Sequence, residues 1–286
     1  MVLLVKHAGA FRNAPVASRY FSAPSQDCAR TALLHTANLW KRWSTLTDCV
    51  RAGTAVSGGE VADRGEEWTR TFIAAMHRNA SERASAVVRA VGAEETRRML
   101  DVGGGSGAYC IAFAGANPQL AADILDLPAV APIAQGHIEK AGVADRVHVR
   151  TGDLRTDRLG EGYDLVFVSA ICHMLSPEEN RDLLRRCYEA LADGGRLVVQ
   201  DFILEADKTA PKAAALFALN MLVGTRAGSA YSEPEYAAWL GEAGFRNVRH
   251  VRLPGPAGLM MAARPSASPD ADKSGANDTV TEVAHA

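Results

Sequence analysis

His173 and Asp201 have the residue types and the setting for proton transfer. His173 follows the apolar run DLVFVSAIC, and Asp201 closes a second apolar run, RLVVQ. Both runs read as buried parallel strands, and in such a sheet the loops after neighbouring strands converge beyond the carboxyl ends. An imidazole at that rim can take a proton near neutral pH. A carboxylate within reach would orient the ring and stabilise its protonated form, which tips the reading of His173 from a structural histidine toward a general base.

The second constellation is MLDVGGGSG, Met99 to Gly107, followed by AYCIAFA. It reads as a strand ending near Asp101, a glycine turn with Gly103 and Gly105, and a helix whose first N–H groups face the turn. Glycine allows the backbone to approach a ligand closely, so the turn is a candidate nucleotide or nucleoside cradle. With Ala108 it also satisfies a dinucleotide fingerprint, with acids at Asp123 and Asp126, so by itself it leaves a nicotinamide oxidoreductase open. Two further strand ends bring Asp126-Leu127 and Asp153-Leu154 to the same rim. Asp126 can accept two hydrogen bonds from a ribose diol, or cap a helix ahead of Pro128. Asp153 can accept a purine amine between Leu127 and Leu154, or merely hold a turn. Together they favour an adenosine-bearing ligand.

These groups need a parallel sheet to hold them. Strands are expected over 98–102, 120–125, 146–151, 164–171 and 196–202, with helices over 108–116, 128–141 and 177–191, the last started by a Ser176–Glu179 capping box. The pattern is α/β and doubly wound. Helices over 211–223 and 232–242 follow. The runs 248–253 and 259–263 are joined too briefly for a parallel crossover, so that pair must be antiparallel.

The amino end reads as two short strands, the second over 10–13, and a proline-started helix. One helix is expected over 31–51 and another over 66–91, where Trp68, Phe72 and Met76 read as core more readily than as a pocket lining. His35, His77 and His148 read as structural or solvated.

Lys and Arg number 31 against 33 Asp and Glu, with a pI near 6.5. No excess positive charge points to nucleic acid or a membrane surface. No apolar run is long enough to span a membrane, and the opening MVLLV is too short for a signal peptide. The five cysteines lack C-x-x-C spacing and read as reduced, buried thiols of a cytoplasmic protein, with no metal site.

LDVGGGSGAY, DLPAV, RVHVRTGDL, ICHMLSPEENRDLLRRCYEALADGGRLVVQDF and YSEPEYAAWLGEAGF together resemble the S-adenosylmethionine-dependent O-methyltransferases of the plant caffeate and acetylserotonin type and their bacterial natural-product relatives. The resemblance runs from about Val2 to Arg264. It implies a Rossmann-like, seven-stranded sheet with an antiparallel last strand, over 91–264, behind a partial winged-helix dimerisation region over 1–90; the Ser-, Asp-, Lys-, Asn- and Thr-rich composition of 265–286 reads as a disordered tail. It implies that S-adenosylmethionine is held by Asp101, Gly103, Gly105, Asp126, Leu127, Asp153, Leu154 and Ser169, the last where the family often has lysine. His173 matches the catalytic histidine and Asp201 the acid beside it. Met76, Phe217, Asn220 and Met221 would line the site for a small aromatic acceptor, although Asn220 could instead cap a buried carbonyl.

The chain departs from the family pattern at Met174-Leu175, where Asp-Trp is common, and at Ala230, near the place of a second acid. It also starts inside the wing hairpin, which points to a misplaced start or a truncated paralogue and bears on the homodimer the family implies. A catalytically silent partner subunit and a C-methyltransferase are the alternatives.

Overall fold

The computed structural model describes residues 2–22, 29–56 and 65–266. Strands β1 (Leu4–His7) and β2 (Ala10–Asn13) form an antiparallel hairpin with Leu4 opposite Asn13. Its turn residues Ala8 and Gly9 both have positive φ, which suits the twist of a two-residue hairpin. All eight strand residues are exposed. Helix α1 (Pro15–Phe21) starts on its proline.

The helix expected over 31–51 is two helices, α2 (Arg30–Trp43) and α3 (Leu46–Ala52). The break falls where the Ser44 and Thr45 hydroxyls donate to the carbonyls of Lys41 and Arg42, at 2.6 and 2.7 Å. Such side-chain bonds compete with the helix's own ladder. Helix α4 (Glu66–Val91) follows and buries Ile73, Ala84, Val87 and Val91.

Seven strands form the main sheet: β3 (Arg98–Val102), β4 (Ala121–Asp126), β5 (Val147–Thr151), β6 (Tyr163–Ser169), β7 (Leu191–Asp201), β8 (Arg246–Arg252) and β9 (Gly258–Ala263). Their order is β5-β4-β3-β6-β7-β9-β8. The first five are mutually parallel; β9 lies between β7 and β8 and is antiparallel to both, and the short join requires this of the β8–β9 pair. The chain steps outward from β3 to β4 and β5, then returns to β6 on the other side of β3. The strand order thus reverses between β3 and β6, the kind of switch point at which open α/β sheets bind their ligands.

Alternating residues of the central strands serve the two faces. Leu165, Phe167 and Val198 pack toward α4, α5 (Ala108–Ala116) and α6 (Ala131–Ala141), through Val87, Phe113 and Ile138. Val166, Val168, Leu197 and Val199 pack toward α7 (Pro177–Ala190) and α9 (Glu233–Glu242), through Leu183, Leu184, Tyr236 and Trp239. Each such side chain, fully buried, contributes about 1.5–3 kcal/mol. Strand β7 begins before the expected 196 because Gly194 and Gly195 exchange backbone bonds with Arg264. Strand β6 ends at Ser169, short of the expected 171, where Ala170 turns to positive φ.

Helix α8 (Lys212–Gly224) carries the amino-terminal helices. The Trp43 indole donates to Asn220 Oδ1 at 3.0 Å, and the Thr54 hydroxyl to the Arg226 carbonyl at 2.8 Å. No helix among the described residues is long and apolar enough to cross a membrane. Cys49, Cys110, Cys172 and Cys187 are buried and unpaired. Cys28, and the expected tail from residue 267 onward, lie outside the described residues.

Candidate active site

Beyond the carboxyl end of β6, Cys172–Met174 form a single 3-10 turn that lifts His173 over the end of β7. Its Nδ1 lies 2.7 Å from Asp201 Oδ1, and its backbone N–H donates to Asp201 Oδ2 at 3.1 Å. A carboxylate can only accept, so Nδ1 carries the proton and the lone pair is on Nε2. Nε2 makes no hydrogen bond with a described residue. Phe217 of α8 meets the imidazole edge-on at 4.8 Å and stacks on Phe202 at 3.8 Å, which closes one side. Asn180 of α7 steadies the turn from below, donating to the carbonyls of Cys172, Leu175 and Ser176. The arrangement is a buried, oriented imidazole able to accept a proton at Nε2.

The glycine turn follows β3. Gly103, Gly105 and Gly107 have positive φ, and a Cβ on Gly104 would come within 2.7 Å of the Asp101 carboxylate beneath it. At Gly105 a Cβ would meet nothing nearer than Ile73 Cδ1 at 4.0 Å, so the backbone there is approachable. Burial pushes the Asp101 carboxyl up to about 7, against a lowering bond from Cys110, with Asp126 adding to the rise. Asp101 Oδ1 is buried without a hydrogen-bond partner. An underlying carboxylate and an approachable glycine backbone fit a ligand that carries positive charge close to the turn.

Asp126 ends β4 and accepts the N–H of Gly105 on Oδ2 and that of Leu127 on Oδ1, both at 2.7 Å. Burial raises its pKa and those two bonds oppose the rise. Asp123, the other acid near the fingerprint offset, takes the Tyr163 hydroxyl at 2.8 Å and is structural. Asp153 holds a turn: Oδ1 accepts the Arg155 N–H at 2.8 Å, while its own N–H donates to Asp157. Arg186 bonds the Leu154 carbonyl and fixes that turn to α7. Leu154 and Ile171 flank Gly103, so the loop after β5 and the His173 loop meet over the glycine turn. The Ser169 hydroxyl donates to Gln200 Oε1 at 2.7 Å, between the carboxyl ends of the interior strands β6 and β7.

On the acceptor side the structure joins Phe217 to His173, and Met221 is buried in α8. Asn220 Oδ1 accepts the part-buried Trp43 indole N–H at 3.0 Å, a donor that needs an acceptor. Met76 is half-buried on α4, beside His77. His77 is held by structural contacts: its Nδ1 lies 2.8 Å from the Ser106 hydroxyl in the glycine turn, and its ring stacks on His137 at 3.8 Å. That contact joins residues 29 positions apart, and nothing in the local pattern of α4 announces it. His148 is exposed, and the side chain of His35 lies outside the described set.

A family model for the O-methyltransferase domain matches residues 43–246. The chain is 33% identical over 262 residues to the 3-hydroxy-5-methyl-1-naphthoate 3-O-methyltransferase of Streptomyces sahachiroi, covering 89% of this chain and 75% of that relative. It is 36% identical over 174 residues to the L-tyrosine C(3)-methyltransferase of Streptomyces lavendulae, covering 59% and 48%. Among solved structures, PigF with SAH matches with a TM-score of 0.82 at 27% identity, covering 92% of this chain and 81% of that one.

Proposed function

The chain belongs to the O-methyltransferase domain family and is an S-adenosylmethionine-dependent methyltransferase, and from that premise we propose that it methylates a hydroxyl of a small aromatic acceptor with His173 as general base. The observation that carries the base assignment is the 2.7 Å bond between His173 Nδ1 and Asp201, which leaves Nε2 as the acceptor. S-adenosylmethionine supplies a methyl group on a positively charged sulfur. The seat we assign to it comprises Asp101, Gly103, Gly105, Asp126, Leu127, Asp153, Leu154 and Ser169. The buried Asp101 carboxylate supports that positive charge from below the turn, and Asp126 retains lone pairs for ribose hydroxyls while fixing Gly105.

A phenol with a pKa near ~10 is protonated at neutral pH, so its oxygen is a poor nucleophile until a base takes the proton. His173 Nε2 receives that proton, and Asp201 stabilises the resulting imidazolium. Phe217, Met221 and Met76 provide an apolar wall for the ring. Holding the acceptor oxygen in line supplies much of the remaining rate.

The test is His173→Ala. Turnover is expected to fall by about 10²–10⁴ while affinity for S-adenosylhomocysteine, read by calorimetry, stays at the parent value; turnover at the parent rate would remove the base. The similarity to a tyrosine C(3)-methyltransferase favours carbon as the second reading, since the same deprotonation activates a phenol ring carbon, and mass spectrometry with NMR of the product separates the two. A folded chain without affinity for S-adenosylhomocysteine would instead be a silent partner. The proposal includes a homodimer through the amino-terminal segment, where Phe11 and Trp40 are 67% and 79% exposed, and sedimentation tests it.

A further inference from the structure

We propose that Tyr236 is a positioning residue that holds Asp201 in the orientation it presents to His173 and draws off part of its negative charge. The inference rests on His173 acting as the base. The Asp201 side chain is buried and receives four hydrogen bonds. Oδ1 takes His173 Nδ1 at 2.7 Å and the Phe202 N–H at 2.8 Å; Oδ2 takes the His173 N–H at 3.1 Å and the Tyr236 hydroxyl at 3.4 Å. Three of these come from the residue being oriented or from the next residue in the chain. The fourth comes from α9, and it reaches the carboxylate on the oxygen that does not face the imidazole ring.

The Tyr236 hydroxyl has two acceptors in reach, Asp201 Oδ2 and the Cys172 thiol, and of the two the carboxylate is the stronger. The side chain is 1% exposed and its ring is clamped by Tyr231 at 6.2 Å and Trp239 at 5.7 Å. Burial, then the nearby Asp201 and Cys172, push the phenol well above its ordinary range, so it stays protonated and donates. The other ionisable groups around the carboxylate are His173 and Cys172 on the 3-10 turn, with Cys187 of α7 and Tyr231 beyond them. Burial likewise holds both thiols protonated. A donor on Oδ2 takes up part of the carboxylate's negative charge, so the Tyr236 hydroxyl and the imidazole N–H share one acceptor.

The experiment is a titration of the ¹⁵N-histidine-labelled full chain, with the His173 signals assigned by their loss in His173→Ala, alongside kcat against pH. In Tyr236→Phe the His173 midpoint is expected to rise by roughly 0.3–1 pH unit, the range one modest charge-assisted hydrogen bond can move. The acid limb of kcat should move with it, and S-adenosylhomocysteine affinity should hold. Tyr231→Phe removes a hydroxyl from the same cluster, one that donates to the Leu175 carbonyl at 2.5 Å, and should lower the melting temperature without moving the His173 midpoint. That control separates packing from coupling if Tyr236→Phe is also less stable. A His173 midpoint in Tyr236→Phe that coincides with the parent's overturns the proposal, as does an equal shift in Tyr231→Phe. Because the titration needs no turnover, retained activity in His173→Ala would sink the base assignment alone and leave the Tyr236 coupling to be judged on its own signal.

Discussion

Asp126 Oδ2 accepts the backbone N–H of Gly105 at 2.7 Å, so the carboxylate that ends β4 also shapes the turn that follows β3. With Leu127 on its other oxygen, it ties two adjacent strand ends into one surface. Asp126→Ala removes both acceptors. At about 1.5–3 kcal/mol for each lost charge-assisted bond, a stability loss of about 3–6 kcal/mol is expected in urea unfolding, with S-adenosylhomocysteine binding weakened at least tenfold, equivalent to about 1.4 kcal/mol. A destabilised variant that binds as the parent does would confine Asp126 to holding the turn.

Asp101 makes stability depend on pH in an unusual direction. Its carboxyl ionises near 7 in the native state against an ordinary 3.8. Between those values the unfolded chain has released a proton that the native chain retains, so native stability declines as pH rises from about 4 to about 7 and is level above that. The full span is about 4 kcal/mol at most, at about 1.4 kcal/mol per pH unit. Asp101→Asn keeps the shape and removes the titration. Its stability without ligand should lack that slope and exceed the parent's at pH 8, with the gap closing at pH 5. Parallel stability curves for the two chains would show that Asp101 does not retain its proton.

His77 and His137 act in the opposite sense on the acid side. Burial lowers the pKa of both, and Lys140 lowers each further, with His137 also acting on His77. As pH falls below the ordinary 6.5, the unfolded chain takes up protons that the stacked pair resists, so stability drops. Since His77 is bonded to Ser106, the glycine turn should loosen with it. His137→Gln is expected to show a shallower fall in melting temperature between pH 7.5 and 5.5, and a shallower loss of S-adenosylhomocysteine affinity over that span. An unaltered acid limb would mean that the stack carries no charge penalty.

What the sequence disclosed, and what it withheld, follows from the range of the interactions. The β3 strand, the glycine turn and α5 are set by local features, an apolar run broken by glycines, and their boundaries read directly. The antiparallel pairing of β8 with β9 follows from the length of one join. His173 and Asp201 were legible as a pair because each sits at the end of an apolar run and parallel strand ends share a rim. Tyr236 gave no such sign, since a tyrosine on the buried face of an amphipathic helix reads as core. The His77–Ser106 and Trp43–Asn220 bonds depend on how α4 and α2 lie across other elements, which periodicity does not encode. The break at Ser44-Thr45 was available in principle, because two adjacent hydroxyl residues within a helical pattern compete for its carbonyls.

Gly228 offers a way to move His173 without touching it. The loop after α8 is held by Thr225, whose hydroxyl donates to the Met221 carbonyl at 2.7 Å and accepts the Gly228 N–H at 3.0 Å. This presses Gly228 against the 3-10 turn. A Cβ there would collide with the His173 carbonyl oxygen and lie 2.8 Å from Thr225 Oγ1 and 3.0 Å from Met174 Cα. Two of those neighbours are backbone and cannot swing aside, so the turn itself must shift, at about 1–3 kcal/mol for overpacking. A displacement of that kind misplaces Nε2, and errors of about 1 Å cost up to ~10² in rate. Gly228→Ala is therefore expected to lower kcat by about 10–100-fold while S-adenosylhomocysteine affinity stays within about twofold, a change under ~0.5 kcal/mol, because the glycine turn belongs to β3. Gly241→Ala on α9, where a Cβ meets nothing within 4 Å, is the matching control and should be neutral or slightly stabilising. Parent-like kcat in Gly228→Ala, or a loss of ligand affinity as large as the loss of kcat, would show that the loop does not set the position of His173.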